Sequence, residues 1–145
     1  MPRPSSARTL AVWMNGERVG TWTTQPGRAD TFAYAESWLS AKAVRAISLS
    51  LPLRPTPHAG ESVTAYFDNL LPENRQIRER VQKRFGASST RAFDLLLAIG
   101  RDCIGAVQLT PADMASPDPT RIDGKALTTA KIGGVLADLL SPRPP

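Results

Sequence analysis

The clearest pattern in the chain is an alternation of apolar and polar positions on both sides of Asn15-Gly16, in "LAVWMNGERVGTW". Asn-Gly tolerates the positive φ angles of a type I′ turn, so the segment predicts a tight β-hairpin. A two-residue loop pairs Met14 with Glu17 and Val12 with Val19. Leu10, Val12 and Met14 then share a face with Val19 and Thr21. Trp13 and Trp22 fall on the other face with Ala11 and Gly20. Both faces carry large apolar groups, so each needs cover. Downstream, "DTFAYAESWLS" predicts a short third strand, Thr31 to Tyr34, and a turn of helix around Trp38. In "AISLSLPL" Ile47, Leu49 and Leu51 alternate with Ser48 and Ser50, the pattern of a half-buried strand halted by Pro52. "RPTPHAGES" reads as a proline-rich loop.

The pattern then turns helical in "YFDNLLPENRQIRERVQKRF", Tyr66 to Phe85. Pro72 disfavours α geometry at Leu71, so a first helix should end near Leu70. Pro72 and Glu73 suit the first turn of the next. Ile77, Val81 and Phe85, four apart, make one apolar stripe, and Gly86 is a stop. Arg75, Arg78, Arg80, Lys83 and Arg84 surround this helix rather than form a row, and Glu79 can pair with Arg75 or Lys83. A helix that reads DNA wants its contacts on one face, so the expectation is an amphipathic packing helix with a solvated basic back. "TRAFDLLLAIGRD" predicts a buried helix ended by Gly100. "CIGAVQLTP" predicts a last strand, Ile104 to Leu109, with Gly105 marking a bulge or close approach. "LTTAKIGGVLADLL" predicts a short helix capped by Thr128 or Thr129, with Ile132, Val135, Leu136 and Leu139 as its apolar side. Gly133-Gly134 weakens it.

Composition adds limits. At 145 residues and 41% hydrophobic, the chain fits one ordinary domain with a usable core. A single cysteine, Cys103, allows no internal disulfide and fits a reducing compartment. No apolar run approaches the roughly 18 residues that span a bilayer, and the first ten residues lack the apolar stretch of a signal peptide. The expectation is a cytoplasmic protein with no membrane partner. The net charge of +5 tolerates nucleic acid or an acidic protein without demanding either.

Tests for chemistry are mostly negative. There is no phosphate-binding G-x-x-x-x-G-K-[ST] loop, no dinucleotide fingerprint and no Cys/His cluster for zinc. The single His58 lacks a second imidazole or an evident triad. Asp68-Asn69 resembles a magnesium pair, but adjacent helical residues point about 100° apart and the other kinase signatures are missing. These residues read better as backbone or neighbour contacts at a helix end, or as an interface. The residues alone give an α+β fold: a small, mostly antiparallel sheet starting with a β-hairpin, packed against three to four helices.

One resemblance goes further. "FDNLLP" (Phe67 to Pro72), Ile77, Arg78 and Arg80, "FDLL" (Phe93 to Leu96) and "IGRD-IGAV" (Ile99 to Val107) together resemble the N-terminal domain of HipA-type serine/threonine kinase toxins. The "VWMNGERVG" hairpin and "SLSLPL" do so as well. With the residue pattern giving a disordered arm at 1–8, a polar linker at 112–126 and a helix at 127–140, the resemblance implies a HipA N-terminal-like domain at 9–111 and a tail at 141–145 leading to a kinase core this chain lacks. That core would carry ATP, Mg²⁺ and the catalytic Asp, and would phosphorylate a glutamyl-tRNA synthetase to arrest growth. No catalytic, cofactor or metal residue carries over to this chain.

The implied partners are the kinase core, in cis or in trans, and a HipB-like DNA-binding antitoxin through which DNA contact would be indirect. The chain is then expected to be a regulatory and packing fragment of a longer kinase. The alternative is a free HipS-like antitoxin that restrains a separate HipA- or HipT-like kinase. A further alternative is a basic nucleic-acid binder using Arg75, Arg78, Arg80, Lys83 and Arg84. The candidate partner contacts are Asp68, Asn69, Arg101 and Asp102.

Overall fold

A computed structural model describes residues 7–102, 105–122 and 124–140. Strands β1 (Arg8–Met14) and β2 (Glu17–Thr24) flank the expected turn. Asn15 (φ 53°) and Gly16 (φ 80°) both take the left-handed geometry it requires. β3 (Thr31–Tyr34) lies beside β2, β4 (His58–Ala59) beside β3, and β5 (Val107–Pro111) beside β1. The order is β4-β3-β2-β1-β5, antiparallel throughout. The helices are α1 (Glu36–Leu39), α2 (Glu61–Asp68), α3 (Arg75–Phe85), α4 (Ala92–Ile99) and α5 (Thr129–Leu140). The fold is α+β, as expected.

The hairpin register departs from the simple two-residue reading. Met14 pairs with Glu17, but Trp13 pairs with Arg18 and Val12 with Gly20. Val19 is therefore an extra residue, a β-bulge. A slip of one residue moves a side chain to the other face of a sheet. Trp22 consequently sits opposite Leu10 and joins the main core rather than Trp13. There its ring stacks on Phe67 of α2 at 4.2 Å and meets Phe93 of α4 at 5.0 Å. Gly20 is needed where β2 passes β3: a Cβ there would collide with the Ala33 carbonyl and come within 2.8 Å of the Phe32 ring. Trp13 stays on the opposite face, donating from Nε1 to Thr110 Oγ1 at 2.8 Å, with Arg18 over its ring.

Other boundaries shift for local reasons. The 47–51 segment forms no strand. Ser48 and Ser50 bond to each other at 2.9 Å, and Ser50 N donates to Ser48 Oγ. Such serine turns compete with extended pairing. Only an isolated Ser48–Leu51 bridge remains, and Leu49 stands fully exposed at 101%. His58 lies in β4 rather than a loop, buried, with Nε2 2.8 Å from the Pro52 carbonyl. α3 begins after Asn74, whose Oδ1 accepts from Gln76 N and Ile77 N, so Pro72 and Glu73 precede the helix. An asparagine cap outcompetes the proline start because it satisfies two orphan donors. α4 ends at Ile99 with Gly100 as its C-cap, as expected, and a 3-10 turn, Gly100–Asp102, follows directly.

β5 starts at Val107 and includes Pro111; Gly105, at φ 95°, lies in the turn before it, with open space where a Cβ would project. β1 takes in Arg8, the last residue of the expected arm. Past β5 the chain doubles back, and Ser116 Oγ donates to the Gly16 carbonyl at 2.5 Å. Residues 1–6 of the arm, Cys103, Ile104, the 141–145 tail and the Leu139 side chain lie outside the described residues.

Candidate functional site

The sequence candidates fall in three places. The first is the end of α2. Asp68 is its last residue and Asn69 its exposed C-cap. Arg78, one turn into α3, reaches back to Asp68 with a two-pronged contact: Nη1 to Oδ1 at 2.7 Å and Nη2 to Oδ2 at 3.0 Å. Its Nε donates to the Pro72 carbonyl at 2.6 Å. The guanidinium thus clamps the α2–α3 corner around Pro72. The Asp68 contact, set against partial burial, raises its pKa above the ordinary arginine value. Asp68, Asn69, Glu73, Arg75, Arg78 and Thr90 line a polar cleft of about 480 Å³. Arg75 is paired along α3 with Glu79, four residues on, at 3.0 Å.

The second place is the 3-10 turn, where Arg101 and Asp102 are both exposed. The Arg101 carbonyl accepts from Gln108 Nε2 at 3.0 Å, which fixes the turn against β5. Its surroundings, with Ser116, Pro117 and Asp118, form a groove of about 540 Å³. The third place is a groove along α3 lined by Arg80, Lys83 and Arg84 together with Ile77, Val81 and Phe85. The structure therefore joins Asp68 to Arg78 and sets Arg80, Lys83 and Arg84 apart from Arg75 and Arg78.

Three features escaped the sequence reading. Asp94 of α4 is 8% exposed. Its Oδ1 meets Arg8 Nη1 at 2.7 Å and its Oδ2 accepts from Ser89 Oγ at 2.5 Å. An acid embedded in the apolar "FDLLL" was the available signal, since a buried carboxylate needs a cation or donors. Burial pushes the Asp94 pKa up, but bonds from Ser89, Arg8 and Ser88 outweigh it and hold the carboxyl below its ordinary value. The second feature is the Leu49 turn. Tyr34 Oη donates to the Leu51 carbonyl and accepts from Ile47 N at 3.0 Å, so an exposed leucine is carried on a well-held loop. The third is α5, whose Ile132, Val135 and Leu136 are 46%, 51% and 55% exposed. Sequence identified that apolar side and not that the chain leaves it uncovered. Among the described residues no three His, Cys, Asp or Glu side chains gather to hold a metal, and no helix is long and apolar enough to cross a membrane.

The described residues form a small antiparallel α+β unit whose polar side chains clamp a helix corner and a 3-10 turn. Comparison with known proteins gives the family. The profile of the HipA N-terminal domain matches residues 10–110, and the chain belongs to that family.

Among its relatives is the Sinorhizobium fredii protein named "Putative kinase Y4mE", 33% identical over 141 residues, which cover 96% of this chain and 33% of that protein. The serine/threonine-protein kinase toxin HipA of Shewanella oneidensis is 30% identical over 117 residues, 79% of this chain and 26% of that one. The chain thus spans a third or less of the length of these relatives. A solved complex of HipA, HipB and operator DNA from Shewanella oneidensis MR-1 contains a chain of the same fold. Its TM-score is 0.67 at 23% identity, over 89% of this chain and 29% of that one.

Proposed function

We propose that this chain is the N-terminal regulatory and packing module of a HipA-like toxin–antitoxin kinase, and that it acts by docking on the kinase core. The observation that carries the reading is the uncovered apolar side of α5, together with Leu49 on its held turn. Three aliphatic groups half exposed on one short helix are costly to leave in water and cheap to bury against a partner. The family membership and the threefold greater length of relatives bearing kinase names support a kinase core as that partner. ATP and Mg²⁺ would be held by the core, whose substrate would be a glutamyl-tRNA synthetase. A HipB-like antitoxin would bind the assembled toxin and carry its contact to DNA.

The test is to purify the full chain with a HipA-family kinase core lacking its own N-terminal domain. The two are expected to form a complex by sedimentation. Asp at both Val135 and Leu136 should weaken it at least about tenfold, as for loss of a central interface anchor, without lowering the melting temperature of the chain. Absence of a complex, or equal binding by the double variant, rejects the reading.

A further inference from the structure

The apolar stripe of α3 is a surface separate from α5. Ile77, Val81 and Phe85 run along the helix at i, i+4 and i+8, so they stay within one stripe about 12 Å long. Ile77 and Phe85 are 42% and 52% exposed, and α3 buries none of its residues fully. Arg80 and Arg84, three and seven residues beyond Ile77, fall on one long edge of that stripe, while Lys83, six beyond it, lies further round the helix. Together the six residues line a shallow groove of about 700 Å³.

The other basic residues of this helix are spoken for. Arg78 is held by Asp68 and the Pro72 carbonyl, and Arg75 by Glu79. Among the described residues Arg80, Lys83 and Arg84 form no ion pair; Arg84 lies over the Phe85 ring at 5.6 Å. The result is a lopsided surface: Ile77 and Phe85 exposed on either side of Val81, which packs against the core, with Arg80 and Arg84 along one edge and, among the described residues, no carboxylate paired with them.

We infer that this groove binds an amphipathic helix of a partner protein, one with leucine- or phenylalanine-type side chains on one face and carboxylates along the adjoining edge. Apolar anchors spaced at three and four residues match the stripe, as in other helix-in-groove recognition. Carboxylates complement Arg80 and Arg84 and set the direction and register of the bound helix. A nucleic-acid duplex fits less well. Its phosphates would meet only one edge, and Ile77 and Phe85 would be buried against a charged backbone.

The test uses the full chain and a fluorescein-labelled helical peptide of about 18 residues, with leucines every third and fourth position and glutamates on the flanks. Anisotropy should show saturable binding, and amide shifts should map to α3. Glu at both Arg80 and Arg84, or Ser at both Ile77 and Phe85, should weaken it at least about tenfold; these side chains are exposed, so circular dichroism should show an unchanged fold. A peptide with lysines in place of the glutamates should not bind. Failure of the acidic peptide, shifts outside α3, or equal binding by the variants overturns the inference. So does tighter binding of a duplex of about 20 base pairs, or a concentration-dependent dimer of the chain that the Ser variant abolishes, which would make a second copy the occupant. The α5 double variant should bind the peptide normally, so this result and the kinase-core result fail independently.

Discussion

At the scale of single residues, the buried Asp94 is the most informative group. Its carboxylate accepts from Ser89 and pairs with Arg8, tying the start of α4 to the first residue of β1. Because its folded pKa is lowered, the stability it contributes is fully present above the ordinary carboxylate value. It is lost as pH falls through the folded value. Asp94→Asn keeps the shape but removes the charge. It should cost about 1–2 kcal/mol near neutrality, discounted for the half-exposed Arg8. The difference from the parent chain should shrink as both are acidified. Urea titrations from neutral pH to below the ordinary carboxylate pKa would check both; a difference independent of pH would mean that packing, not charge, holds Asp94. The sequence showed an acid inside an apolar helix, but its partner lies 86 positions away at the chain's start, and no local pattern connects them.

At the scale of elements, legibility followed how local the deciding interaction is. The Asn15-Gly16 turn, the third strand and the stripe of α3 are set by neighbours within a turn or a pleat, and the sequence placed them. The bulge at Val19 was not visible, because the strand partner decides it. The Leu49 turn was misread as a strand because serine-to-serine bonding and the distant Tyr34 hydroxyl outweigh a two-residue alternation. The α2–α3 corner shows how one side chain can fix an angle between elements. Arg78 makes a forked contact with Asp68 and a third bond to Pro72. A lysine keeps the charge but cannot reproduce the fork. Arg78→Lys should therefore destabilise the chain by about 1–2 kcal/mol. Amide exchange should rise in α3 more than in β1; uniform acceleration across the sheet would show that the clamp is not confined to the corner.

At the scale of the whole molecule, the chain divides its apolar surface between two uses. Sheet, α2 and α4 enclose one core, with Trp22, Phe32 and Phe67 fully buried. α5 has its described side chains, Thr129 to Asp138, all exposed. A helix of twelve residues is marginal alone in water. Gly133 and Gly134 each cost it about 1 kcal/mol relative to alanine, while the Thr128 cap recovers only part of that. Its persistence as a helix thus depends on a surface that covers Ile132, Val135 and Leu136. Hydrogen exchange on the chain alone should show α5 amides exchanging near the unprotected rate while β1 and β2 amides remain protected. A bound kinase core should slow the α5 amides by at least about tenfold, because the opening free energy then includes loss of the interface. If α5 is as protected alone as in the complex, the helix supports itself and its exposed Ile132, Val135 and Leu136 lose their argument for a partner. If the core binds and leaves α5 unprotected, the docking surface lies elsewhere, with the Leu49 turn the next place to look.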